Sequence, residues 1–554
     1  MTGARALIDA ALEDHQAGRL ARAIALYEQA LAQAPDDVQA RANLALAFAQ
    51  SGRHVDASLA FEQALALRPD DPALRQNLLV TSLNAGVALL AQGSAAAAAA
   101  AFRRAVMAAP EHAPAHGSLG LALAQLGDLD GAIASLDAAI ALTPDDARLH
   151  YNRANALRDQ GRLEAARDAY RATLARQPNF AEALFQLGNL ERVLSAPAAA
   201  LTVFETAVAM MPDSVLAQLG LGGALHDLGR LEEAIAAFQR AQALDPENAE
   251  AHRSEALSLL LQGDFARGWE KLEWRWRAED VVLRRLDEKP WRGEPLAGRT
   301  ILLYAEQGLG DTVQFARFAP QVAARGGRVI VQAQRPLLGL LRSLEGVAEL
   351  VGVRQASPAF DVQAPLLSLP WLLGIRLETL PAAAPYLAAE PARVARWREI
   401  VGTGSHPTIG LVWAGNPRHG RDRVRSLPPE RLLPLLDHDA RWFSLQVGAS
   451  ADGLPADRVT DLAPRLTDFD ETAAAVTALD LVITVDTAVA HLAGALGRPV
   501  WLLLPFSPDF RWLLGRDDSP WYPTMRLFRQ PAPGDWQSVV AAVRAALPSL
   551  SRTG

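Results

Sequence analysis

The chain of 554 residues contains no cysteine. This absence excludes disulfide bonds, thiolate zinc sites and cysteine nucleophiles, and it fits a reducing compartment. The chain also lacks a basic excess, because 62 Asp and Glu residues outnumber 54 Lys and Arg residues and the net charge is −8. A general nucleic-acid-binding protein is therefore not expected. No apolar run approaches about 18 residues, and the first twenty residues lack the apolar core of a signal peptide, so the sequence predicts a cytoplasmic protein without a membrane span.

A 34-residue repeat occupies the first half of the sequence. A proline ends each unit, and the intervals between these prolines are 34 residues except for one of 41. The prolines are Pro35, Pro69, Pro110, Pro144, Pro178, Pro212 and Pro246. A turn glycine recurs with the same period from Gly18 to Gly229, with Ser195 in its place in the sixth unit. An alanine and then an aromatic residue or leucine follow each turn, which is typical of two helices that cross closely.

This pattern resembles the tetratricopeptide repeat over roughly residues 4–248. Each unit of that family is a pair of antiparallel helices, and stacked units bury a shared core. The sequence therefore predicts an α-solenoid over residues 1–262. The seven alanines Ala95–Ala101 are expected to form a tightly packed second helix of one unit.

The sixth position of each unit forms a polar row. On the helix expected to line the concave side, this position lies about 150° from the core stripe. Exposed positions are ordinarily polar, which accounts for the row without any function. Asparagine is a poor residue in the middle of a helix, however, so stacked amides are a candidate for holding an extended acceptor peptide, as in the asparagine ladder of the tetratricopeptide-containing O-GlcNAc transferase. The residues are Asp9, Asn43, Asn84, Ser118, Asn152, Gln186, Gly220 and Ser254, of which Asn43, Asn84 and Asn152 are the predicted acceptor-binding residues.

Residues 263–299 are predicted to form a capping helix and a linker. Trp269, Trp274 and Trp276 alternate with charged residues here, which is typical of a helix that seals the array and packs on a neighbouring domain. The connection is expected at residues 281–299, where proline and glycine are frequent between residues 290 and 298.

Strands and helices alternate in the second half. Apolar runs suited to buried parallel strands form two series. The first series is at residues 301–304, 329–332, 347–351 and 360–362, and the second is at 409–413, 442–446, 481–484 and 500–504. Two successive series indicate two Rossmann-like halves facing a cleft, at residues 300–395 and 396–554. Ligands in such folds bind beyond the carboxyl ends of the strands.

The first candidate site follows the first of these strands, where Gly308, Gly310 and Asp311 lead into a helix. The motif lacks the third glycine of a dinucleotide fingerprint and the Lys-Ser/Thr of a nucleotide P-loop. It offers close backbone approach and a helix N-terminus that favours negative charge. Asp311 is expected to cap the helix, to accept a proton from an attacking hydroxyl, or to do both.

The second candidate site follows the strand at 481–484. Asp486 and Thr487 end this strand, and His491 lies on the second turn of the next helix. A helix N-terminus at this place suits a diphosphate. His491 is alternatively a histidine of the core, since Ala490 and Leu492 flank it.

The third candidate site follows the strand at 409–413. Asn416 and four arginines come after this strand, and Gln446 ends the next one. Either the arginines form a solvated loop or at least one of them neutralises phosphate. Arg425 is the preferred candidate among Arg418, Arg421, Arg423 and Arg425.

The strand–Gly-Leu-Gly-Asp–helix start and the later Asp-Thr-x-x-x-His motif resemble heptosyltransferase-related glycosyltransferases of the GT-B fold. Joined to the repeat array, they give the whole chain a resemblance to bacterial tetratricopeptide-repeat glycosyltransferases, flagellin glycosyltransferases among them. The resemblance implies that residues 300–395 form the acceptor side and residues 396–554 the nucleotide-sugar side. It also implies that Asp311 is the catalytic base and that Asp486, Thr487 and His491 bind the donor. Heptosyltransferases place a lysine in the loop after the first strand of the second half, where this chain has only arginines. The predicted donor-binding set is completed by Gly308, Gly310, Asn416, Arg425 and Gln446.

No metal and no cofactor is expected beside a nucleotide-sugar co-substrate. Asp-x-Asp occurs at residues 128–130 and 468–470. The first lies in a repeat turn and the second precedes a helix, so neither suits a metal–diphosphate site.

Three functions fit the sequence. The leading prediction is a protein O-glycosyltransferase that transfers a sugar to Ser or Thr of a polypeptide selected by the repeat array, with flagellin as one candidate acceptor. The alternatives are a heptosyltransferase-like enzyme with a lipid-linked or polysaccharide acceptor, and a non-catalytic adaptor or export chaperone.

Overall fold

The computed structural model of the protein describes residues 2–277, 289–381, 383–402, 404–448 and 453–550. The chain forms two compact units, Met1–Leu190 and Glu191–Gly554. Within the described ranges, no helix combines the length and the apolar character needed to cross a bilayer.

The first unit consists of antiparallel helix pairs, as the repeat predicts. The eleventh helix continues into the second unit. The helices are α1 (Thr2–Gln16), α2 (Leu20–Gln33), α3 (Val38–Gln50), α4 (His54–Leu67), α5 (Pro72–Ala91), α6 (Ala95–Ala108), α7 (Ala113–Leu126), α8 (Leu129–Leu142), α9 (Ala147–Asp159), α10 (Leu163–Arg176) and α11 (Ala181–Val193).

The repeated residues have the roles that the sequence predicts. The turn glycines adopt positive φ, from 73° at Gly229 to 84° at Gly127, which is accessible to glycine without steric cost. The recurring small and large residues of the second helices are buried, as at Ala23 and Tyr27. The seven-residue insertion lengthens α5 to 20 residues. The alanine run begins α6, where Ala98, Ala99 and Ala101 are buried as expected.

The second unit begins with the last repeats and continues into two sheets. Its remaining helices are α12 (Pro197–Met210), α13 (Val215–Asp227), α14 (Leu231–Leu244), α15 (Ala249–Gln262), α16 (Phe265–Leu272), α17 (Leu309–Ala316), α18 (Ala319–Ala323), α19 (Leu369–Leu372), α20 (Pro391–Val401), α21 (Asp422–Arg425), α22 (Phe469–Ala478), α23 (Ala488–Ala495) and α24 (Trp536–Ala546).

Both sheets are parallel throughout their named strands. The five-stranded sheet has the order β1-β5-β2-β3-β4, and the six-stranded sheet has the order β11-β10-β9-β6-β7-β8. The strands are β1 (Lys289–Pro290), β2 (Thr300–Tyr304), β3 (Arg328–Ala333), β4 (Val347–Gly352), β5 (Val362–Pro365), β6 (Thr408–Val412), β7 (Arg441–Ser444), β8 (Val459–Asp461), β9 (Leu481–Val485), β10 (Val500–Leu504) and β11 (Met525–Arg529).

The predicted strands are largely confirmed. Seven of the eight predicted runs agree with observed strands to within two residues at each end, and the run at 360–362 is displaced to β5. The sequence did not predict β1, β8 and β11, which occupy sheet edges. An edge strand buries less of its surface, so its apolar signal is weaker.

The capping helix α16 packs into the α/β region. Trp269 is 2% exposed, and its ring contacts the rings of Phe315, Phe510 and Trp521 at centroid distances of 5.6–6.4 Å. Residues of α15 and α16 share one hydrophobic core with both sheets. The repeats from residue 191 onward therefore belong to the same compact unit as the sheets. The linker residues 278–288 lie outside the described residues, and the predicted domain limits remain a prediction.

Ser195 is expected to be a weak point of the sixth unit. It adopts φ 59°, where the other units place glycine, and a left-handed backbone costs a residue with Cβ about 1–2 kcal/mol. Ser195→Gly should raise the free energy of unfolding by about 0.5–1 kcal/mol, because the added freedom of the unfolded chain offsets part of the gain. Urea denaturation measures this, with Gly229→Ser as the reverse change. A lower stability for Ser195→Gly would contradict the prediction.

Candidate active site

Two helices begin at the carboxyl ends of parallel strands and meet in one cavity. The chain passes from β2 into α17, and from β9 into α23. A Cβ atom at Gly310 would lie 2.9 Å from Cδ2 of His491 and 3.4 Å from Cα of Ala488. Glycine at this position therefore allows α17 to touch α23, and a role of Gly310 in donor binding remains a prediction.

The cavity has a volume of 790 Å³ and is lined by both sheet regions. This volume is typical of sites for small organic ligands. The predicted site residues of the α/β region all lie on its wall: Gly308, Gly310, Asp311, Asn416, Arg425, Gln446, Asp486, Thr487 and His491. The predicted acceptor-binding residues Asn43, Asn84 and Asn152 belong to the first unit.

Asp311 is the third residue of α17 and caps its N-terminus. Oδ2 of Asp311 accepts a hydrogen bond from the backbone N–H of Gly308 at 2.9 Å. Oδ1 accepts a hydrogen bond from the guanidinium of Arg511. The predicted capping role is confirmed, and a role as base remains a prediction. Both carboxylate oxygens have partners, while a quarter of the side chain stays exposed.

Arg511 is a site residue that the sequence analysis missed. Its guanidinium also donates to Oδ1 of Asp509 at 2.7 Å and to Oε1 of Gln314. The side chain is 9% exposed and lines the cavity. A signal was available, because Ser507, Asp509 and Arg511 follow the end of β10, which lies beside β9. Polar residues after β10 indicate a ligand site as strongly as those after β2, β6 and β9, because ligands bind at the carboxyl ends of parallel strands.

Asp486, which is half-buried, and His491, which is buried, lie side by side at the start of α23. Oδ1 of Asp486 lies 3.9 Å from Nε2 of His491. Burial, together with the negative charge of Asp509, raises the pKa of Asp486 to about 6. Burial and the positive charge of Arg511 lower the pKa of His491 well below its usual range. The imidazole is therefore neutral at physiological pH.

The ring of His491 is fixed by its neighbours. Nδ1 lies 3.0 Å from the hydroxyl of Tyr522, and the ring stacks on Trp512 with an interplanar angle of 22°. These contacts are those of a core histidine, yet the residue also borders the cavity. The alternative of a core histidine is thus confirmed, and a role of His491 in donor binding remains a prediction.

Thr487 precedes α23 and turns its hydroxyl to the strand. Its Oγ1 lies 3.2 Å from Oγ1 of Thr484. This contact leaves the first N–H groups of α23 available to an anion, because helix N-termini carry backbone donors without intrahelical partners.

Gln446 holds the loop after β6 through backbone contacts. Its Oε1 accepts hydrogen bonds from the N–H groups of Trp413 at 3.0 Å and Ala414 at 2.9 Å, and its Nε2 donates to the carbonyl oxygen of Ala414 at 3.1 Å. Gln446 therefore shapes the cavity wall through this loop.

The rest of the β6 loop is tied by polar side chains. Ser426 accepts a hydrogen bond from the N–H of Gly415 and donates to Asp422, both at 2.9 Å. Arg425 donates to the same carboxylate at 3.3 Å, and its side chain is 18% exposed. Arg421 reaches Ser507 and donates to its carbonyl oxygen at 2.7 Å. Asn416 is exposed and accepts from the N–H of Arg418 at 3.0 Å.

The two Asp-x-Asp pairs lie at helix starts. Asp128 accepts from the N–H of Gly131 at 3.0 Å, and Asp468 accepts from the N–H of Glu471 at 2.7 Å. Among the described residues, no three His, Asp or Glu side chains converge as metal ligands.

Comparisons with known proteins match the two kinds of region separately. Tetratricopeptide repeat models match residues 3–83, 120–158, 151–209 and 186–249. The glycosyltransferase family 9 (heptosyltransferase) model matches residues 446–504, a range that contains Gln446, Asp486, Thr487 and His491.

One curated relative and several solved structures are similar to the chain. Protein FlbA of Caulobacter vibrioides is 29% identical over 326 residues, which are 53% of this chain and 54% of FlbA. The chain thus spans about half the length of this relative. MamA of Desulfovibrio magneticus is 24% identical, with 30% of this chain and 97% of MamA covered and a TM-score of 0.29. YrrB, a TPR protein with an unusual peptide-binding site, is 23% identical, with 32% and 92% covered and a TM-score of 0.30.

The matches agree with the fold. Tetratricopeptide repeats form the N-terminal part, and parallel sheets form the C-terminal part. The family 9 match within the six-stranded sheet region supports a glycosyltransferase.

Proposed function

We propose that this protein is a protein O-glycosyltransferase of the GT-B type, which transfers a sugar from a nucleotide-sugar to Ser or Thr of a polypeptide bound by the repeats, with flagellin as one candidate acceptor. One observation carries the proposal. All nine residues predicted for the α/β region line a single cavity between two parallel sheets, in a region that includes the family 9 match.

In the proposed reaction, the acceptor hydroxyl attacks the anomeric carbon of the sugar. The oxygen–carbon bond forms as the carbon–oxygen bond to the leaving phosphate breaks, and the hydroxyl proton passes to Asp311. General-base assistance of this kind contributes about 10²–10⁴ in rate. The position of Asp311 on the cavity wall and its partly exposed carboxylate support this role.

The donor is proposed to bind at the six-stranded sheet. The N–H groups at the start of α23 and the guanidinium of Arg425 would stabilise the negative charge of the leaving phosphate without a metal. Asp486, Thr487 and His491 would contact the nucleotide-sugar directly. Gln446 would act through the loop that carries Asn416.

Asp486 should make donor binding dependent on pH. Its pKa of about 6 means that the free protein loses this proton as the pH rises through 6. A bound diphosphate raises the pKa further by like-charge repulsion, so the complex keeps the proton to higher pH. We expect nucleotide-sugar affinity to be highest below about pH 6 and to fall at higher pH. The total loss of affinity is about tenfold for each unit by which the bound diphosphate raises the pKa of Asp486. Calorimetry measures this, and Asp486→Asn should flatten the profile. A flat profile in the unmodified protein would contradict the prediction.

The acceptor is proposed to bind on the first helices of the repeats. Asn84 is exposed on α5, and Asn43 and Asn152 are half-buried on α3 and α9. Four positions on each of α3, α5 and α7 share one helix face by their spacing, and none of the twelve residues is charged. Ten are exposed and two half-buried: Gln39, Asn43, Leu46, Gln50, Val80, Asn84, Val87, Ala91, Pro114, Ser118, Leu121 and Gln125.

This uncharged face favours an uncharged acceptor segment, because a buried charge without a partner is costly. Val87 is 61% exposed on the face, whereas Met107 is 63% exposed on the second helix of the same unit. We expect Val87→Glu to weaken acceptor binding about tenfold or more, the cost of about 1.4 kcal/mol for one desolvated charge. Met107→Glu should leave binding unchanged. Calorimetry with a polypeptide that the protein modifies measures the affinity of both variants. Equal effects of the two substitutions would argue against this surface.

Intact mass spectrometry tests the function. A candidate acceptor polypeptide is co-expressed with the full chain, with Asp311→Asn and with residues 191–554 alone. We expect the mass of the acceptor to increase by one sugar only when it is co-expressed with the full unmodified chain. Purified protein is expected to retain sugar transfer in EDTA. Transfer to lipid or polysaccharide that persists without residues 1–190 would support the heptosyltransferase-like alternative. If the full chain binds the polypeptide but no acceptor is modified, the result would support the non-catalytic adaptor.

A further inference from the structure

Arg511 joins the two sheet regions across the cavity. Its guanidinium contacts Asp311 and Gln314, which belong to α17 beside the five-stranded sheet, and Asp509, which follows β10 of the six-stranded sheet. Its side chain is nine-tenths buried and still borders the cavity. A cation in this position can bind both Asp311, the proposed base, and the leaving phosphate of the donor.

The contacts of Asp311 conflict with its proposed role. Oδ2 of Asp311 is held by the N–H of Gly308 at 2.9 Å, and Oδ1 is held by Arg511. The N–H of Gly308 is a backbone group at the N-cap of α17, so its position is set by the start of the helix. The guanidinium of Arg511 is on a side chain and can rotate away. The oxygen most easily freed to accept a proton is therefore Oδ1.

We propose that Arg511 exchanges partners when the donor binds: it holds Asp311 in the empty cavity and the donor diphosphate in the complex. The inference rests on the proposed function. A guanidinium binds phosphate through two parallel hydrogen bonds at least as well as it binds carboxylate. Asp509 keeps the arginine anchored on the donor side during the exchange.

The exchange links proton removal from the acceptor hydroxyl to departure of the phosphate. With Arg511 on the diphosphate, Oδ1 of Asp311 is free to take the proton of the acceptor hydroxyl. The same guanidinium then stabilises the charge that the phosphate oxygen gains as its bond to the sugar breaks. The base is thus exposed only after the donor has arrived, which predicts that donor binds before acceptor.

The charged surroundings are consistent with a movable cation. The groups that act on Arg511 or on its neighbours are Asp311, Asp486 and Asp509, the arginines Arg421 and Arg425, and Glu306 beside Asp311. Asp311, Asp486 and Asp509 all attract the guanidinium. An incoming diphosphate therefore competes with carboxylates for Arg511, and removing one carboxylate should favour the diphosphate.

This competition gives a distinctive test. Calorimetry with the full-length protein uses UDP, GDP, ADP and CDP as probes, with the parent nucleosides as references. We expect Arg511→Met to weaken binding of the preferred diphosphate about tenfold to a hundredfold, as for loss of a charge-assisted pair, without weakening the nucleoside. Asp311→Asn should strengthen diphosphate binding several-fold, because it frees Arg511 from a competing carboxylate.

The double variant and a control make the result decisive. In Arg511→Met the further change Asp311→Asn should no longer strengthen diphosphate binding, since there is no guanidinium to release. Arg516→Met, on a half-buried arginine five residues away that pairs with Asp518, should bind as the unmodified protein does. If Asp311→Asn leaves diphosphate binding unchanged or weakens it, Arg511 is a fixed structural tie and the inference is wrong. If the unmodified protein binds none of the diphosphates, the proposed function itself fails.

Discussion

Replacing Asp311 by asparagine is expected to lower turnover about 10²–10⁴-fold, because an amide cannot accept the proton of the acceptor hydroxyl. Asparagine caps a helix about as well as aspartate, so the hydrogen bond from Gly308 is retained. The ion pair with Arg511 is lost, which lowers the melting temperature modestly. Initial rates of sugar transfer with saturating donor and acceptor measure the effect.

Asp468→Asn is a matched control for this substitution. Asp468 also caps a helix and also lines the cavity, but no role as base is proposed for it. Its asparagine variant should keep turnover within about threefold, since the capping bond is preserved. If Asp311→Asn retained turnover at the level of Asp468→Asn, Asp311 would be a cap alone and the base would have to be sought elsewhere in the cavity.

Truncating Trp269 is expected to destabilise the second unit by about 3–5 kcal/mol, the usual range for removing a buried aromatic side chain. The indole of Trp269 fills the space between Phe265, Phe315, Phe510 and Trp521. Phe315 lies on α17 and Phe510 adjoins Arg511, so the cavity left by Trp269→Ala also loosens both sides of the Asp311–Arg511 pair. We therefore expect turnover to fall with stability.

Urea denaturation followed by circular dichroism measures the stability of this variant. Trp371→Ala removes a tryptophan that is 44% exposed, and it should cost well under 1 kcal/mol because surface changes usually have small effects. Equal stabilities of the two variants would show that α16 is only loosely attached. The same reasoning predicts that a fragment beginning at Thr300 is unstable, since it lacks the indole that completes its core.

Strand ends made most of the site predictable from sequence. Asp311, Asn416, Gln446 and Asp486 each follow an apolar run, and parallel strands bring such positions to one edge of a sheet. The cavity that unites them confirms this reasoning. The repeats were predictable for a similar reason, because a fixed period places equivalent residues in equivalent contacts.

Arg511 follows β10 in the same way, but its ion pair with Asp311 could not be predicted, because these two residues are distant in sequence. Asp311 is 200 residues away, and no local pattern marks an ion pair that forms only when two sheets face each other. The group that approaches Gly310 could not be predicted for a related reason. A glycine in a sequence signals close approach, but the approaching group, here His491, is known only from the fold.

The contact between Gly310 and His491 constrains how the cavity can open. Because no side chain separates α17 from α23 at this point, any rotation of one sheet region against the other that preserves the contact has its axis passing through it. Atoms near such a pivot move little, and displacement grows with distance from it. The cavity wall at Gly310 would stay closed, while parts of the wall farther from this contact would move outward. Nucleotide would then enter and leave on the side away from Gly310, and the speed of that movement would set an upper limit on turnover.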